Sequence, residues 1–545
     1  MVMDNKKIKD TLLLPKTDFS LRLLNHQEKE REIRELWEKK QVYQKVLAKN
    51  QNEEPFILHS GPPYANGKIH LGHVLNFLIK DIIVRSQAAE GRYTPFLLGW
   101  DTHGLPIEHK AIMIEKSNQE KKTGLRQICR DFALKQTQLQ KEQLKKLGLF
   151  TDYEKYYLTL NKEYEAEQIR VFGEMVKRGL IYQGFRPIYW SCSHETALAG
   201  AEIEYYPKKD TSIYFKITLV SEFLGKEKVS LLVWTTQPWT IPANELVAVK
   251  KTASYVLVSY NNEYLLILEN KIPLLEKWSG EKLKIEKVFC GEKLLGLTYS
   301  RSYQKKSQGY IVDGSNFIEE KEGTGIVHLA PAFGVEDFNL AKKENLAIEC
   351  PLETNGIFNE KIGVSELIDK HYKEVNDYVI DNLEKRNLVV KKETISHSYP
   401  HDWRDKSPLV YRLTKQWFIK VEVIKKELLE NIEKVKWYPA WTQEKMKSAI
   451  LSREDWCISR QRKWGVPIPV LYKNNEPILD FEIIDYIAEI VASYGSDCWF
   501  NGSILPLLRE KFPNLIDKET VLGQDIMDVW LDSGVSHWCI LKKGN

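Results

Sequence analysis

Apolar positions in the first part of the chain predict a strand, a turn and a helix in succession. Residues 56–58 form a short apolar run, and residues 60–67 are rich in turn formers. From Ile69 to Ile83, apolar residues recur every three or four positions, which predicts a helix. A second strand is predicted at residues 94–99. This order favours a parallel, doubly wound α/β sheet, in which ligands bind at the carboxyl ends of the strands.

The pattern changes near Phe185. From there to about Lys392, short alternating runs separated by Gly, Asn and Lys-rich turns predict strands. Helical periodicity returns after about Ser396. We therefore predict an α/β domain interrupted by a β-rich insertion, with its first part at residues 1–184, the insertion at 185–395 and its second part at 396–545.

Composition narrows the possible classes of protein. Of 545 residues, 43% are hydrophobic and 28% charged, which excludes global disorder. Lys plus Arg is 79 against 75 Asp plus Glu, a net charge of +4, so nucleic-acid binding would need local patches. We find no apolar run of spanning length and no secretory signal at the lysine-rich start, so the expected compartment is the cytoplasm, without a membrane partner. Seven scattered cysteines without a C-x-x-C pair predict reduced thiols.

The first candidate motif is His70-Leu71-Gly72-His73, in the first turn of the predicted helix. Two histidines three residues apart share one helix face, and a helix N-terminus favours phosphate groups. Gly72 would let a flat base or ribose approach the backbone. The motif therefore suits nucleotide phosphates, although a metal pair or two surface histidines are also compatible with it.

The second motif spans residues 99–108 and places Asp101 at the end of a strand, beside the first loop. Its carboxylate could hold an ammonium group, or it could cap the next helix as a turn residue. The third motif, residues 234–244 with a companion at 323–338, brings hydroxyl and acidic groups after strands in the insertion. These groups could orient a water or a ribose hydroxyl, or could simply close the strands.

The fourth motif, residues 455–469, alternates arginine and lysine with tryptophan. Such a mixture can hold a nucleic-acid backbone and stack a base, or can be solvated charge above buried rings. A related segment contains His397, His401, Asp402 and Asp405. These four could be metal ligands, but we favour structural or turn roles and predict no metal site.

These four motifs, in this order, resemble the bacterial type of isoleucine–tRNA ligases, a family of class I aminoacyl-tRNA synthetases. The likeness extends from residues 11–19 to residues 528–534 and corresponds to the N-terminal portion of the family. Residues 63–73 are similar to the family's HIGH signature, with Leu71 in place of isoleucine. The flanking Pro-Pro-Tyr-Ala-Asn-Gly and Gly-Trp-Asp-x-His-Gly-Leu-Pro-Ile-Glu strings distinguish it from the related valine and leucine enzymes.

The resemblance implies a Rossmann-like catalytic domain carrying the HIGH signature and interrupted by a β-rich editing domain. It also implies ATP with Mg²⁺, isoleucine and tRNA(Ile) as ligands of a monomer. Catalytic roles would belong to His70, Gly72 and His73, and further contacts to ATP to Gly61, Pro63 and Tyr64. The amino acid would be bound by Pro62, Asp101 and Trp530.

The resemblance further implies hydrolytic editing of mischarged valyl-tRNA, because isoleucine and valine differ by one methylene that a single apolar pocket distinguishes poorly. The implied editing residues are Thr235, Thr236, Asn244, His328 and Asp337. The implied tRNA-binding residues are Arg460, Arg462 and Trp464.

The sequence departs from the family pattern in three places. Gln237 replaces a threonine of the editing motif, and Asp402 and Asp405 stand where some relatives carry a cysteine pair, so we expect no zinc. The Lys-Met-Ser-Lys-Ser signature does not occur in the 545 residues, and we expect no anticodon-binding domain within them. An editing-only hydrolase or tRNA-end binding fragment is therefore the alternative to a ligase. A small-molecule nucleotidyltransferase is a third interpretation, which the Thr-Thr and Asp pair disfavours.

Overall fold

The structure, a computed structural model, describes residues 25–117, 124–303 and 308–541. The helices are α1 (His26–Lys39), α2 (Val42–Lys49), α3 (Leu71–Ala89), α4 (Leu105–Ser117), α5 (Leu125–Leu147), α6 (Lys162–Lys177), α7 (Ile272–Ser279), α8 (Val335–Lys343), α9 (Tyr372–Lys385), α10 (Lys425–Lys434), α11 (Thr442–Leu451), α12 (Phe481–Tyr494), α13 (Asp497–Phe500), α14 (Ile504–Lys511), α15 (Val529–Gly534) and α16 (Ser536–Leu541).

The strands are numbered separately, also in chain order. They are β1 (Leu98–Trp100), β2 (Tyr156–Leu158), β3 (Ile181–Ser191), β4 (Thr196–Ala197), β5 (Ile203–Thr218), β6 (Val229–Thr235), β7 (Leu246–Val249), β8 (Ser254–Tyr260), β9 (Glu263–Leu268), β10 (Ile285–Cys290), β11 (Thr298–Ser300), β12 (Gln308–Asp313), β13 (Ile326–Leu329), β14 (Val389–Asp402), β15 (Val410–Ile419), β16 (Trp456–Cys457), β17 (Ser459–Arg460), β18 (Leu471–Lys473), β19 (Glu476–Ile478), β20 (Val521–Leu522) and β21 (Ile526–Met527).

The chain divides into two compact units. Among the described residues, the first consists of those up to His103, those within Ile107–Tyr164 and those from Ser533 onward. Within it, β1 and β2 form a parallel pair with Leu98 opposite Tyr156. Gly99 allows this pairing, because a Cβ on it would lie 2.1 Å from Cζ of Tyr157. Helix α5 ends at Gly148, whose left-handed conformation (φ +67°) is typical of a helix C-terminus.

The second unit consists of Gly104–Pro106 and Glu165–Asp532. Its largest sheet has the strand order β10-β8-β9-β6-β5-β14, and a four-stranded sheet has the order β11-β12-β7-β13. Another four-stranded sheet, β16-β15-β3-β4, contains the long antiparallel pair of β15 and β3. Alternating side chains of the first two sheets are buried in one extensive apolar core, which includes Phe215, Leu231, Val247 and Ile326.

The α/β class is confirmed, whereas the extended, doubly wound parallel sheet is not seen among the described residues. Parallel pairing in the first unit comprises β1 with β2 and two isolated bridges, Pro55 with Tyr93 and Tyr64 with Asp101. The predicted strand at residues 56–58 is therefore not formed as a ladder, and the predicted strand at 94–99 is shorter and shifted to 98–100. Isolated bridges satisfy too few backbone groups to make a strand.

The predicted strands of the β-rich region are present, and they cross the boundaries that the sequence suggested. Strand β3 contains residue 185, and strand β14 contains residue 395. The division into a catalytic domain and an editing domain stays a prediction.

Candidate functional site

Helix α3 begins directly after His70, which is the N-cap residue. The backbone N–H of Gly72 donates to Nδ1 of His70 at 3.1 Å, and the backbone N–H of His70 donates to Nδ1 of His73 at 3.2 Å. The two imidazole rings lie 3.9 Å apart between centroids. Burial, with a further contribution from His70, lowers the pKa of His73. His73 is therefore neutral at physiological pH and can donate one N–H without carrying charge.

Gly72 is favoured by the close packing of the His70 ring. A Cβ at position 72 would lie 3.0 Å from Cε1 of His70 and 3.1 Å from its Nδ1. Any larger residue would displace the capping ring. The three residues predicted to act together in phosphate chemistry are thus held together by local hydrogen bonds and close packing.

A buried glutamine on α5 holds the loop before α3 through hydrogen bonds to its backbone. The side chain of Gln140 accepts from Nε1 of Trp100 at 3.0 Å. It donates to the carbonyl oxygens of Tyr64 at 3.0 Å and Gly67 at 2.8 Å. Gln143, one turn further along α5, accepts the backbone N–H of Ile69 at 3.0 Å. Neither glutamine was predicted from the sequence, because a glutamine within a long polar helix gives no local signal.

Asp101 lies beside this loop, as the sequence predicted. Its backbone N–H donates to the carbonyl of Pro63 at 2.9 Å, and its own carbonyl accepts from Ala65 at 2.8 Å. The carboxylate is buried and lies 3.5 Å from the hydroxyl of Thr159, which donates to it. A buried carboxylate of this kind is able to pair with a cationic group that enters from the loop side.

A second polar cluster surrounds Ser60, at the start of the same loop. Nζ of Lys80, on α3, donates to Oγ of Ser60 at 2.6 Å, and the hydroxyl of Tyr157 donates to the Ser60 carbonyl at 3.2 Å. Burial lowers the pKa of Lys80. Gly61 itself faces open space, because nothing lies within 4 Å of a Cβ built on it. The cluster fixes the loop where it enters the turn, and Lys80 was not predicted from the sequence.

Trp530, predicted to line the amino-acid pocket with Pro62, belongs to the other compact unit. It lies on α15, remains half exposed, and its backbone N–H donates to Oδ1 of Asp528 at 3.3 Å. Its role at the pocket stays a prediction.

In the β-rich region, His328 is the centre of a buried hydrogen-bonded group. Its Nε2 lies 2.9 Å from Oγ1 of Thr240, and its Nδ1 lies 3.4 Å from Nδ2 of Asn244. The hydroxyl of Tyr299 donates to Oδ1 of Asn244 at 2.7 Å and so orients the amide. Burial lowers the pKa of His328 to about 4, so this imidazole is neutral. Thr240 and Tyr299 were not predicted.

Gln237 connects the end of strand β6 to this group. Its backbone N–H donates to Oγ1 of Thr235 at 3.1 Å, and its carbonyl accepts the hydroxyl of Thr240 at 2.8 Å. Its side-chain amide donates to the hydroxyl of Tyr399 at 3.3 Å. Thr235 and Thr236 are partly exposed at the end of the strand. The side chain of Gln237, at the position where the family pattern has threonine, therefore joins the segment after β6 to strand β14.

Asp337, in the first turn of α8, faces the chain segment that follows His328. Its Oδ2 accepts the backbone N–H of Ala330 at 2.7 Å. A Cβ at Gly334 would lie 2.7 Å from its Oδ1, so glycine is needed there. Burial raises the pKa of Asp337 to about 7. A cationic partner would stabilise the charged form of this buried carboxyl strongly. Asp337 therefore suits the binding of an ammonium group.

Comparison with known families decides the class of this chain. The sequence model described as tRNA synthetases class I (I, L, M and V) matches residues 32–545. The chain belongs to the class I tRNA synthetase family. The match includes both the α3 loop and the β-rich region, so the two groups of residues described above lie within one family sequence.

Curated relatives of this class I chain are named isoleucine–tRNA ligase. Those from Acholeplasma laidlawii and Onion yellows phytoplasma are each 42% identical over 98% of this chain, and that of Mycoplasmoides gallisepticum is 43% identical over 99%. The chain spans only 59% of the first two proteins and 60% of the third. Among solved structures, a LeuRS of Agrobacterium radiobacter K84 in a ternary complex with tRNA aligns at 15% identity, covering 94% of this chain and 59% of that one, with a TM-score of 0.39. A score this low does not establish a shared fold.

Two residues of this class I chain that were predicted to bind tRNA are buried instead. Trp464 is fully enclosed, and Arg460 donates from Nη2 to Oδ2 of Asp528 at 2.8 Å and to Oε2 of Glu202 at 3.5 Å. Arg462 is partly exposed. The alternation of charge and tryptophan thus reflects a buried ion pair at Arg460 and a separate buried ring at Trp464, and neither residue is available to a nucleic acid in this structure.

The four residues considered as possible metal ligands, His397, His401, Asp402 and Asp405, do not gather into one group among the described residues. His397 pairs with Asp210, and Nδ1 of His401 lies 2.8 Å from its neighbouring carbonyl at Tyr399. Instead, His194 approaches Asp402 at 3.1 Å and Asp405 at 3.8 Å. Ligand atoms of these three residues all lie within 4.8 Å of one another, so they could hold a divalent cation.

No described helix is long and apolar enough to cross a bilayer.

Proposed function

We propose that this chain forms isoleucyl-adenylate from isoleucine and ATP as part of an isoleucine–tRNA ligase, and that its β-rich region hydrolyses valyl-tRNA. The observation that carries the proposal is the pair of histidines whose rings lie in contact at the start of α3, on a loop held by Gln140. The names of the relatives at 42% identity support isoleucine as the amino acid and tRNA(Ile) as the acceptor.

In the activation step, a carboxylate oxygen of isoleucine bonds to the α-phosphorus of ATP, and the bond to the bridging oxygen of pyrophosphate breaks. Negative charge grows on the oxygens around the α-phosphorus, where donors fixed in advance are most effective. His70 and His73 are the donors in this proposal, because their rings are held by hydrogen bonds of the α3 N-terminus. Mg²⁺ bound with ATP would neutralise the remaining phosphate charge.

The remaining predicted contacts surround this step. Gly61, Pro63, Tyr64 and Gly72 would shape the surface on which ATP lies. Asp101 would pair with the isoleucine ammonium, and Pro62 and Trp530 would enclose the side chain. The position of the Asp101 backbone against Pro63 supports this arrangement, since it puts the carboxylate next to the loop.

In the editing step, water would add to the ester carbonyl of valyl-tRNA, and the bond to the terminal ribose oxygen would break. Thr235, Thr236 and neutral His328 would position the water and the adenosine, with Asn244 orienting the imidazole. Asp337 would bind the valine ammonium. Orientation of water, rather than a strong base, accounts for hydrolysis of an activated ester.

Isoleucine-dependent exchange between ATP and labelled pyrophosphate tests the activation step. We expect exchange by the 545-residue chain and a loss of about 100- to 1,000-fold in His73→Ala, as for removal of one transition-state donor. His73→Asn, which keeps an N–H donor, should recover part of the rate. His26→Ala, a substitution of an exposed histidine on α1, should leave exchange unchanged.

The same assay separates the ligase from its alternative. If the unsubstituted chain hydrolyses valyl-tRNA but shows no exchange, it acts as an editing hydrolase and the activation proposal is wrong for this chain. The absence of a Lys-Met-Ser-Lys-Ser string from the 545 residues is the observation that favours this second candidate.

A further inference from the structure

Helices α10 and α11 form a hairpin that leaves its sheet at the end of β15 and returns to it at β16. The backbone N–H of Val421 donates to Oδ1 of Asp455 at 2.9 Å and joins the two chain segments at the base of the hairpin. Nζ of Lys425 donates to the carbonyl of Leu451 at 3.2 Å and joins the start of α10 to the end of α11. Residues 435–441, here called the α10–α11 loop, therefore lie at the far end of a braced element.

Two aromatic rings project from the α10–α11 loop. Tyr438 is 76% exposed and Trp441 is 64% exposed, the highest values for a tyrosine and a tryptophan among the described residues. Tryptophan is highly buried on average. The neighbouring Trp437 follows that rule, because it is half-buried and its indole N–H donates to the carbonyl of Ile432 at 3.0 Å. Trp437 thus anchors the loop, and the other two rings face solvent.

Hydrogen bonds fix the conformation of the loop around these rings. Oγ1 of Thr442 donates to the carbonyl of Pro439 at 2.7 Å, and the backbone N–H of Gln443 donates to that of Ala440 at 3.2 Å. The side-chain amide of Gln443 reaches back to α10 and donates to Oε2 of Glu433 at 2.9 Å. A loop that is ordered in advance loses less conformational freedom when it binds a ligand.

Two lysines without an acidic partner precede the rings. Nζ of Lys436 lies 5.3 Å from the centroid of the Tyr438 ring. Nζ of Lys434 donates to Oδ1 of Asn431, a neutral group, at 3.0 Å. Neither lysine forms an ion pair with any residue that the structure describes, and both are exposed. The loop therefore presents positive charge beside its two rings.

Exposed rings next to positive charge are the features with which proteins hold unpaired nucleotides, because each base has a face that stacks and each phosphate is anionic. We infer that the α10–α11 loop binds unpaired nucleotides of tRNA by stacking bases on Tyr438 and Trp441. The bases of a duplex are already stacked on one another, so a projecting ring cannot reach their faces. That tRNA supplies the nucleotides rests on the proposed function.

The charge of the loop also favours RNA over a protein partner. Lysine is depleted from the cores of protein interfaces, whereas it neutralises phosphates in complexes with nucleic acids. The loop has in an exposed position the mixture of cations and rings that the sequence suggested for residues 455–469, where Arg460 and Trp464 are buried.

The test is fluorescence anisotropy of the 545-residue chain with labelled RNA, in the absence of ATP and isoleucine. We expect binding of a tRNA(Ile) transcript and of a single-stranded RNA of about 12 nucleotides, with much weaker binding of a duplex of the same length. Tyr438→Ala and Trp441→Ala should each weaken both complexes by about 10-fold, and Trp441→Phe, which keeps a ring, should retain most of the affinity. Tyr494→Ala removes a tyrosine that is 71% exposed on α12 and should bind as the unsubstituted chain does.

A second readout reports stacking and charge directly. The fluorescence of 2-aminopurine in the single-stranded RNA should be quenched by the unsubstituted chain and less by Trp441→Ala. Lys436→Gln should leave the quenching in place and reduce the slope of log affinity against log salt concentration by about 0.7. Because all three side chains are exposed, the variants should unfold thermally as the unsubstituted chain does.

Unchanged affinity in both alanine variants, equal binding of the duplex, or failure of the transcript to bind would each overturn the inference. A change in self-association of the alanine variants on sedimentation, with RNA affinity intact, would assign the loop to a protein contact instead. Pyrophosphate exchange requires no RNA. Exchange without RNA binding therefore contradicts this inference alone, and RNA binding through Trp441 without exchange contradicts the activation proposal alone.

Discussion

His328 and Asp337 illustrate how burial changes two titratable groups in opposite directions at the scale of single residues. Burial disfavours the charged form of each, so the pKa of His328 falls to about 4 and that of Asp337 rises to about 7. Between pH 6 and 8 the histidine stays neutral while the carboxyl changes its charge. Of these two groups, only Asp337 can therefore contribute to the pH dependence of the proposed editing step between pH 6 and 8.

We expect kcat/KM for valyl-tRNA hydrolysis to rise with pH through about 7 and then level off. With a pKa of about 7, the carboxylate fraction increases roughly 10-fold between pH 6 and pH 8, and only the carboxylate binds an ammonium group. The rise should disappear in Asp337→Asn, which can still accept the Ala330 N–H. It should persist in His328→Asn at a lower overall rate. A pH profile in Asp337→Asn identical to that of the unsubstituted chain would contradict this assignment.

Gly99 gives a second prediction at this scale, concerning stability. Gly99→Ala should lower the free energy of unfolding of the first unit by about 1–3 kcal/mol or more, because its Cβ would overlap the buried ring of Tyr157. Urea unfolding followed by fluorescence measures the change. Gly534→Ala, in the same unit but with open space around the new methyl group, should change stability little. Equal effects of the two substitutions would show that the close packing of Gly99 is not needed.

At the scale of elements, the sequence predicted helix α3 and its capping histidines but not the element that supports them. The three- and four-residue spacing of apolar residues located the helix, which begins two residues after the predicted start. The same spacing could not indicate which side faces water, because the side rich in leucine and isoleucine is exposed. Gln140 was missed because its partners, Tyr64 and Gly67, are more than seventy residues away along the chain.

Gln140 should position the loop rather than take part in the reaction. Gln140→Leu leaves an indole N–H and two carbonyls without their partner, at a cost of about 1–3 kcal/mol for each buried group left unsatisfied. In a folded variant we expect a raised KM for ATP in the exchange assay, with a smaller fall in kcat. Gln138→Leu, an exposed position on the same helix, is the control. A fall in kcat with unchanged KM would instead assign Gln140 to the transition state.

At the scale of the whole molecule, strands and side chains that are far apart in the sequence pair with each other. Local sequence patterns could not predict these pairs. Alternation of apolar residues located the strands of the β-rich region. It could not give the sheet order β10-β8-β9-β6-β5-β14, whose neighbours β5 and β14 lie far apart in the chain. The ion pair between Arg460 and Glu202 spans 258 residues, so a local pattern of arginine and tryptophan was interpreted as a nucleic-acid surface.

Because Arg460 is buried in an ion pair, we expect it to stabilise the fold and not to bind tRNA, the role that the sequence had suggested. Arg460→Met should lower the free energy of unfolding of the second unit by about 3–5 kcal/mol, because Asp528 would remain buried without its cation while Glu202 would keep only Arg404. Lys445→Met, on exposed α11, should be nearly neutral. Under conditions where the variant is folded, its affinity for tRNA should match that of the unsubstituted chain. Full stability combined with lost tRNA affinity would instead restore Arg460 to a nucleic-acid contact, since only an accessible guanidinium can neutralise a phosphate.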